Sequence, residues 1–503
     1  MNIATNNAIT FKKWPIVMAL LIGAFVSILN QTLMNIALPK MTEDLGVSYN
    51  TIQWLSTGFM LVNGVLIPIS AFLMARFSTR KLFITAMSLF SIGTLICAIG
   101  NSFPVVLTGR LVQASGAGVL MPLMTVIFLT IFPIEKRGQA MGMMGIAMIF
   151  APAIGPTLSG WVIEHHPWNT LFWIILPFAL LSIVLGIVFM RNVTETSKPS
   201  LDSWSVILST VGFGGLLYSF SQAGSSADGW HSTEVIVSLV VGVIALIWFI
   251  VRQIFSSNPI LEFRVFRYSM FSLTTLINVI ITMALYAAMI LLPIYLQNLR
   301  GFTPLESGLL LMPGAILMGL MSPITGIIFD KIGARWLAVI GLIITTVTTW
   351  QFSKLTLDTT YTHLILVYTT RMFGMSMLMM PIQTAGLNQL PASLNAHGTA
   401  MSNTLRTIAG AMGTALLLTV MTTETKGQLS SLIVQAGINP KDPANAGQIA
   451  QLTRTATLQG IDHAFVIATA ITVVALLLSF FIRKVQVQRQ EQENMSETAS
   501  VSQ

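Results

Sequence analysis

The sequence predicts an all-α, polytopic membrane protein, and three observations carry that prediction. Apolar residues make up 54% of the 503 and charged residues only 9%, where soluble domains carry about 25% charged. Apolar runs of roughly 20 residues, the length at which a helix crosses a bilayer, recur from one end of the chain to the other. The Lys and Arg residues concentrate in every second gap between those runs, which is how a membrane protein marks its cytoplasmic side.

Taken in order, the runs delimit fourteen spans. The first, 14–38, follows "FKK". It exceeds the ~7–15-residue apolar core of a cleaved signal and has no small-residue cleavage site behind it, so it is a retained helix. Spans 52–75 and 82–101 flank the basic turn "RFSTRK". Span 104–132 holds "GRLVQASGAGVLMP", and 138–163 runs from "EKR" to "EHH". Span 169–190 completes six. Spans 203–222 and 234–255 come next, and "FRVFR" precedes 270–297, 305–329, 336–353 and 361–385. The last two, 398–422 and 462–482, enclose the longest loop, 423–461, whose composition suggests short amphipathic pieces.

An even number of spans returns both termini to one side. Placing them in the cytoplasm (N-in/C-in) assigns 17 of the 26 Lys and Arg to cytoplasmic segments, counting Arg252 at the cytoplasmic end of span 234–255, with 6 in the opposite loops and 3 in span interiors. The formal charge of +8 therefore reflects topology and implies no nucleic-acid partner. Residues 1–13 form a cytoplasmic N-terminus, and the polar 483–503 stretch reads as a disordered cytoplasmic tail. The single cysteine, Cys97, lies in an apolar run, forms no internal disulfide and reads as a small core residue.

The chain repeats itself. "RGQAMGMMG" at 137–145 echoes "HGTAMSNTL" at 397–405, "RLVQASGAGVLMP" at 110–122 echoes "RMFGMSMLMMP" at 371–381, and "AFLMARFSTRK" at 71–81 echoes "GIIFDKIGARW" at 326–336. The offsets are nearly equal, 260, 261 and 255. Two six-span bundles, 14–190 and 270–482, therefore enclose two inserted helices within 203–255, a 6+2+6 arrangement. Duplicated halves of this kind build a central site near mid-membrane depth in many secondary transporters.

Polar residues mark candidate pathway faces. Ser27, Gln31 and Asn35 are spaced i, i+4, i+8 in span one with Asn30 beside them, and Thr275, Asn278, Thr282 and Tyr286 repeat the pattern in span nine. Gln53, Asn63 and Gln383 add to it. Such stripes either line a cavity or join helices by hydrogen bonds. Arg110, Arg371 and Arg406 fall inside spans, where a charge needs a polar partner, a wet cavity or a route to the interface. The acids lie in loops, at span ends or in the tail. Glu164, Asp228, Glu306, Glu424 and Asp462 sit at the span ends opposite the termini, and Glu164, Asp228 and Glu306 are candidates for proton coupling. "EHH" at 164–166 is no metal site, because adjacent histidines rarely converge on one ion. The 29 methionines, several within 372–380, either pack or form an adaptable apolar wall.

These motifs resemble the major facilitator superfamily, in particular its 14-span drug:proton antiporters of the EmrB/QacA type and their lincomycin-resistance branch. "ILNQTLMNIALP" at 28–39 is similar to the first-span motif. "GRLVQASGAGVLMP", with Arg110 and Gln113, is similar to the fourth-span motif, and "APAIGPTLSGW" to the fifth-span antiporter motif. The resemblance implies the major facilitator fold and a substrate pathway including Asn30, Gln31, Asn35, Arg110, Gln113, Asn278, Thr282, Tyr286 and Gln383. It also implies close packing or bending at Gly145, Gly155, Pro156 and Gly160. "GIIFDKIGAR" at 326–335 is similar to the superfamily's cytoplasmic-loop motif. By that resemblance Asp330 steadies the outward-facing state through a helix N-terminus or an arginine, with Lys331 and Arg335 as surface charges. The N-terminal copy has Ala75 where the motif has aspartate and Ser78 where it has glycine, implying a lock charged on one side only. Asn30 stands where the related pumps carry an aspartate, so an amide that cannot titrate replaces a proton-accepting group.

The function so implied is efflux of amphipathic compounds, lincosamide-like ones included, by proton-coupled alternating access. The proton gradient is its energy source, and it uses no cofactor. Its partners are a small-molecule substrate and the lipid bilayer of a bacterial plasma membrane, and a monomer suffices. Export of an endogenous neutral or anionic metabolite is the alternative, and a transporter-like sensor a third possibility, though no signalling domain is visible. No nucleophile–base pair or ligand cluster points to an enzyme.

Overall fold

The computed structural model describes residues 13–194, 196–197, 202–225, 229–256, 258–438, 442 and 445–483; the expected N-terminal segment and C-terminal tail lie almost wholly outside them. Among the described residues, fourteen helices are long and apolar enough to cross a membrane. They are α1 (Lys13–Leu45), α2 (Trp54–Arg76), α3 (Thr79–Ile99), α4 (Phe103–Ile131), α5 (Arg137–His165), α6 (Thr170–Phe189), α7 (Ser203–Ser225) and α8 (Thr233–Phe255). After them come α9 (Ser269–Ile294), α10 (Pro304–Ile332), α11 (Ala334–Gln351), α12 (Tyr361–Ser376 and Met379–Leu387), α13 (Asn395–Ala436) and α14 (Ala446–Ser479). A helix satisfies every backbone group within itself, which is what a bilayer demands of a spanning segment.

One large apolar core gathers side chains of α1 to α6, from Ile16 to Met190. Two others gather α9 to α14. The α7–α8 pair packs on α2 and on α13, and its own core joins Ala71 and Leu129 to Leu208 and Phe249 and on to Phe271 and Met401. Its other end is tied to α13 by the Trp230 indole, which donates to the Thr419 hydroxyl at 2.8 Å. Arg252 makes a two-point ion pair with Asp202, at 2.7 and 3.1 Å, fastening the start of α7 to the end of α8. The Arg252 hydrogen bond holds the Asp202 carboxyl down at about 2, against the opposing effect of burial.

Small residues set the closest helix crossings. A Cβ on Gly116 of α4 would lie 2.1 Å from the Ala86 carbonyl oxygen and 2.8 Å from the Phe90 nitrogen of α3. Both are backbone atoms, so only glycine lets the two helices meet there. Gly160, by contrast, has nothing within 4 Å of such a Cβ, so the expected close packing of span five does not extend to it.

Two elements differ from the sequence expectation. The loop drawn over 423–461 is largely helical: α13 runs unbroken to Ala436, and α14 begins at Ala446. Polar outer faces lower the hydropathy of this stretch, but the two helices support each other at Gly460, whose Cβ would lie 2.3 Å from Thr425 Oγ1. Gly437, at φ +64°, ends α13. The Ile438 N–H returns to the Ile433 carbonyl and the Gly437 N–H to that of Val434, a Schellman arrangement that uses the last carbonyls. The span 361–385 is interrupted at Met377 and Leu378, and the Ser376 carbonyl accepts the Thr325 hydroxyl of α10 at 2.9 Å. A neighbouring hydroxyl is the usual remedy for a backbone group freed inside a membrane helix.

Gly116→Ala should lower the melting temperature of the detergent-purified protein, with an overpacking cost of about 1–3 kcal/mol; Gly160→Ala should leave it unchanged or raise it slightly. The Asp202 pair adds a pH dependence. A carboxyl held below its unfolded value of about 3.9 stabilises fully above that pH and progressively less as pH falls towards 2. Asp202→Asn should therefore cost under about 1 kcal/mol at pH 7 and flatten the acid limb of a melting-temperature titration.

Candidate functional site

Asn30 of α1 and Arg110 of α4 are sealed inside the N-terminal helices, at 1% and 0% exposure. Arg110 Nη1 donates to Asn30 Oδ1 at 2.5 Å and to Gln113 Oε1 at 2.7 Å, while Nε donates to the Leu55 carbonyl at 3.2 Å. Gln113, one turn along α4, passes its own amide N–H to Thr94 Oγ1 at 2.7 Å, and Thr94 donates to the Phe90 carbonyl. The Phe59 ring lies 4.2 Å from the guanidinium carbon, close enough for cation–π attraction. Each hydrogen-bonding partner is neutral. Arg110 Nη2 and Asn30 Nδ2 are buried and have no partner.

Arg371 of α12 rests on a second copy of this arrangement. It is wholly buried, so it does not run to the membrane interface. Its Nε donates to Thr349 Oγ1 at 3.3 Å and its Nη2 to the Ala284 carbonyl at 2.8 Å, leaving Nη1 without a partner. Thr349 in turn bonds the carbonyl four residues earlier, as Thr94 does. Arg371 follows Arg110 by 261 positions, Thr349 follows Thr94 by 255, and Ala284 follows Asn30 by 254. The repeat therefore preserves a buried arginine with its threonine, and exchanges a side-chain amide for a backbone carbonyl. Arg406 is half-buried and donates to Asn403 Oδ1 at 3.0 Å.

The remaining pathway candidates are spread more widely. Gln31 is half-buried in α1, and the Asn35 side chain lies outside the described residues. Asn278, Thr282 and Gln383 are buried. Thr282 gives its hydroxyl to the Asn278 carbonyl of its own helix, and Gln383 Nε2 is unpartnered. Tyr286 lies against Gly410 of α13, whose Cβ would come 2.9 Å from its ring.

Of the gating candidates, Asp330, Lys331 and Arg335 lie at the end of the molecule where α5 begins and α10 ends, whereas Gly155 and Pro156 lie well along α5. Asp330 accepts the Gly138 N–H at 2.8 Å on one carboxylate oxygen and the Gln139 N–H at 3.0 Å on the other. These are orphan donors of the first turn of α5, where negative charge is favoured. Behind this cap α5 and α10 nearly touch: a Cβ on Gly326 would lie 2.2 Å from the Gly138 carbonyl oxygen, and one on Gly145 would lie 2.1 Å from Ser322 Oγ. Gly155 lets α5 approach Thr32 of α1, at 2.5 Å from its Cβ position; the ring of Pro156 lies outside the described residues. Lys331 is exposed, and Arg335, also exposed, lies over the Trp336 ring at 5.9 Å. Arg137 reaches across to Asn388 at 3.1 Å.

Two of the three proton-coupling candidates can be placed. Glu164 is exposed at the end of α5, and Asp228 lies outside the described residues. Glu306 is exposed and forms a reciprocal capping box with Thr303 at the start of α10, which makes it a helix-start residue. Asp462 is the acid that changes place. Because α14 begins at Ala446, Asp462 lies well inside a helix, half-buried, with Oδ1 buried and unpartnered. Helix propensity through 446–461 was the signal that could have placed it there.

Fourteen apolar helices among the described residues, two buried arginines and a carboxylate-capped helix seam mark a multi-pass membrane transporter. The Major Facilitator Superfamily model matches residues 20–414, and the chain belongs to that superfamily of transporters, which is not a class of enzymes. It is 50% identical over 497 residues to the MFS-type transporter YhcA of Bacillus subtilis, covering 94% of this chain and 93% of that protein. It is 45% identical over 477 residues to the lincomycin resistance protein LmrB of the same organism, covering 95% and 97%. Among solved structures, the human organic anion transporter MFSD10 superposes with a TM-score of 0.66 at 13% identity, over 93% of this chain and 99% of that one, a likeness of fold alone.

Asp330→Ala deletes both contacts to α5, a helix-cap loss of about 1–2 kcal/mol, or roughly tenfold in the balance between closed and open ends. Transport should fall several-fold at an unchanged protein level, and a cysteine introduced at Gln139 should react faster with a polar maleimide. Unchanged transport together with unchanged labelling would show that Asp330 is no lock.

Proposed function

We propose that this chain exports amphipathic small molecules from a bacterial cell by proton-coupled alternating access. The observation that carries the proposal is the Asp330 cap on α5, set beside the glycine seam that brings α5 and α10 together. It closes one end of the molecule through contacts that separate cleanly when two halves rock apart. The halves are 14–190 and 270–482, with the inserted pair of 203–255 between them. With N-in/C-in orientation the capped end faces the cytoplasm, so the protein is in a cytoplasm-closed state. The similarity to a lincomycin resistance protein over nearly the full length of both chains supports a lincosamide-like or similarly amphipathic cargo. The proton gradient supplies the energy, no cofactor takes part, and one chain in the bilayer is a sufficient unit.

Everted membrane vesicles with an acidic lumen test this directly, using lincomycin-like, cationic and anionic amphiphiles. Uptake should depend on the gradient and collapse with a protonophore. Uptake indifferent to the gradient removes the coupling, and absence of uptake for every compound removes the exporter assignment.

A further inference from the structure

We infer that Arg110 Nη2 and Asn30 Nδ2 form an anion-binding site, and that it takes the acidic group of an amphipathic substrate. The proposal rests on the exporter assignment and narrows its substrate class to amphipathic acids, which sets aside the lincosamide-like cargo, whose ionisable group is an amine.

A guanidinium stays protonated in a protein, so Arg110 carries a full charge into the interior at 0% exposure. Its hydrogen-bond partners, Leu55 O, Asn30 Oδ1 and Gln113 Oε1, contribute dipoles and no counter-charge. Ion pairs join Lys40 with Glu43 and Asp44, Arg252 with Asp202, and Arg264 with Glu262. Each joins residues at or near the surface, and none reaches a buried arginine. Buried charges are normally matched by opposite ones.

The unmet hydrogen-bonding capacity points the same way. Asn30 Nδ2 shares a carbon with the oxygen that accepts from Arg110, and Arg110 Nη2 shares a carbon with the nitrogen that donates to it. The two bare nitrogens therefore lie on either side of one hydrogen bond. Both are donors, and both are buried. A water molecule can occupy one of them but brings no charge; a carboxylate offers two acceptor oxygens and neutralises the arginine. The Phe59 ring on the guanidinium supplies an apolar wall beside the charged group. Asparagine at position 30 decides the matter. Aspartate has the same shape and would neutralise Arg110 from within, whereas the amide leaves that place to a ligand. The second arginine has no equivalent donor, because Ala284 stands at the position matching Asn30. Both nitrogens are sealed among α1 to α4, so the anion reaches them as these helices part.

The test uses the purified full chain with three probes that share one ring system and differ in charge: 1-naphthaleneacetate, its methyl ester, and 1-naphthylmethylammonium. In thermal-shift titrations the acid should bind at least about tenfold more tightly than the ester, as expected for a charge-assisted contact, with the ammonium weakest. Proteoliposome transport should follow the same order. Asn30→Asp, which supplies an internal counter-ion, should erase the acid-over-ester preference, and Arg110→Lys should keep part of it. Equal binding of acid and ester by the wild-type chain overturns the site, as does an Asn30→Asp variant that melts normally and retains the full preference. The wild-type probe series decides the question even where a variant fails to fold. Loss of the exporter assignment looks different: none of the three probes is transported, whatever their binding order.

Discussion

A positive charge buried without a negative one constrains everything around the centre of the N-terminal helices. Removing a guanidinium from water costs several kcal/mol even after relaxation. The chain offsets this with dipoles from three elements: the Asn30 amide on α1, the Leu55 carbonyl at the start of α2, and the Gln113 amide on α4 itself. Each must point inward for the charge to be tolerated, which fixes the rotation of α1 and α4 about their axes. Once α4 is set, Gly93, Gly109 and Gly116 allow α3 and α4 to meet at backbone distance. That contact in turn places Thr94 under Gln113. The amides of "ILNQTLMNIALP" are tolerable in a membrane because Asn30 at least is one terminus of this network.

The second constraint lies between the halves. If α5 and α10 part during transport, as proposed above, a seam of small residues exposes less unmatched surface than one of interlocked large side chains. Here α5 and α10 meet through Gly138, Gly142, Gly145, Gly319 and Gly326, and the specific contact is a carboxylate on two backbone N–H groups. Such a contact is directional and strong in place, and both partners are readily hydrated when it breaks. The inserted pair carries the opposite character. Within it the Phe220 ring meets that of Trp230, and the Trp230–Thr419 hydrogen bond joins it to α13, while towards α2 and α4 an apolar cleft of about 500 Å³ remains between it and Leu61, Val65 and Ser115.

Much of this was legible from residues alone. Apolar length marked the fourteen spans, because a bilayer leaves so few alternatives to a helix. The internal echoes marked Arg110 and Arg371 as counterparts, and "GIIFDKIGAR" marked Asp330. What escaped were features set by three-dimensional partners. Hydropathy cannot see that the polar stretches 423–436 and 446–461 support each other as a helix pair, and so Asp462 was left at a boundary. The break at Met377 lies four residues before Pro381, which has no N–H to give the Met377 carbonyl; hydropathy alone runs the span through it, and Thr325 reaches over from another helix to the neighbouring Ser376 carbonyl. The Thr303–Glu306 capping box is the exception: its T-x-x-E spacing is a helix-start pattern that the sequence itself carries.

The repeat also explains why the two arginines need not do the same work. Duplication delivers the same arginine and threonine to both halves, with the threonine in each case tied back to its own helix. Divergence then falls on the third partner. In the C-terminal half a backbone carbonyl holds Arg371, and a carbonyl offers only acceptance: it binds the guanidinium and presents nothing further to a ligand. In the N-terminal half an amide holds Arg110, and an amide carries a donor on the same carbon as its acceptor. Satisfying the arginine with the oxygen necessarily leaves the nitrogen exposed to whatever enters. The difference between a structural arginine and a binding one thus comes down to a single side chain at position 30, and to the fact that an amide has two faces where a carbonyl has one.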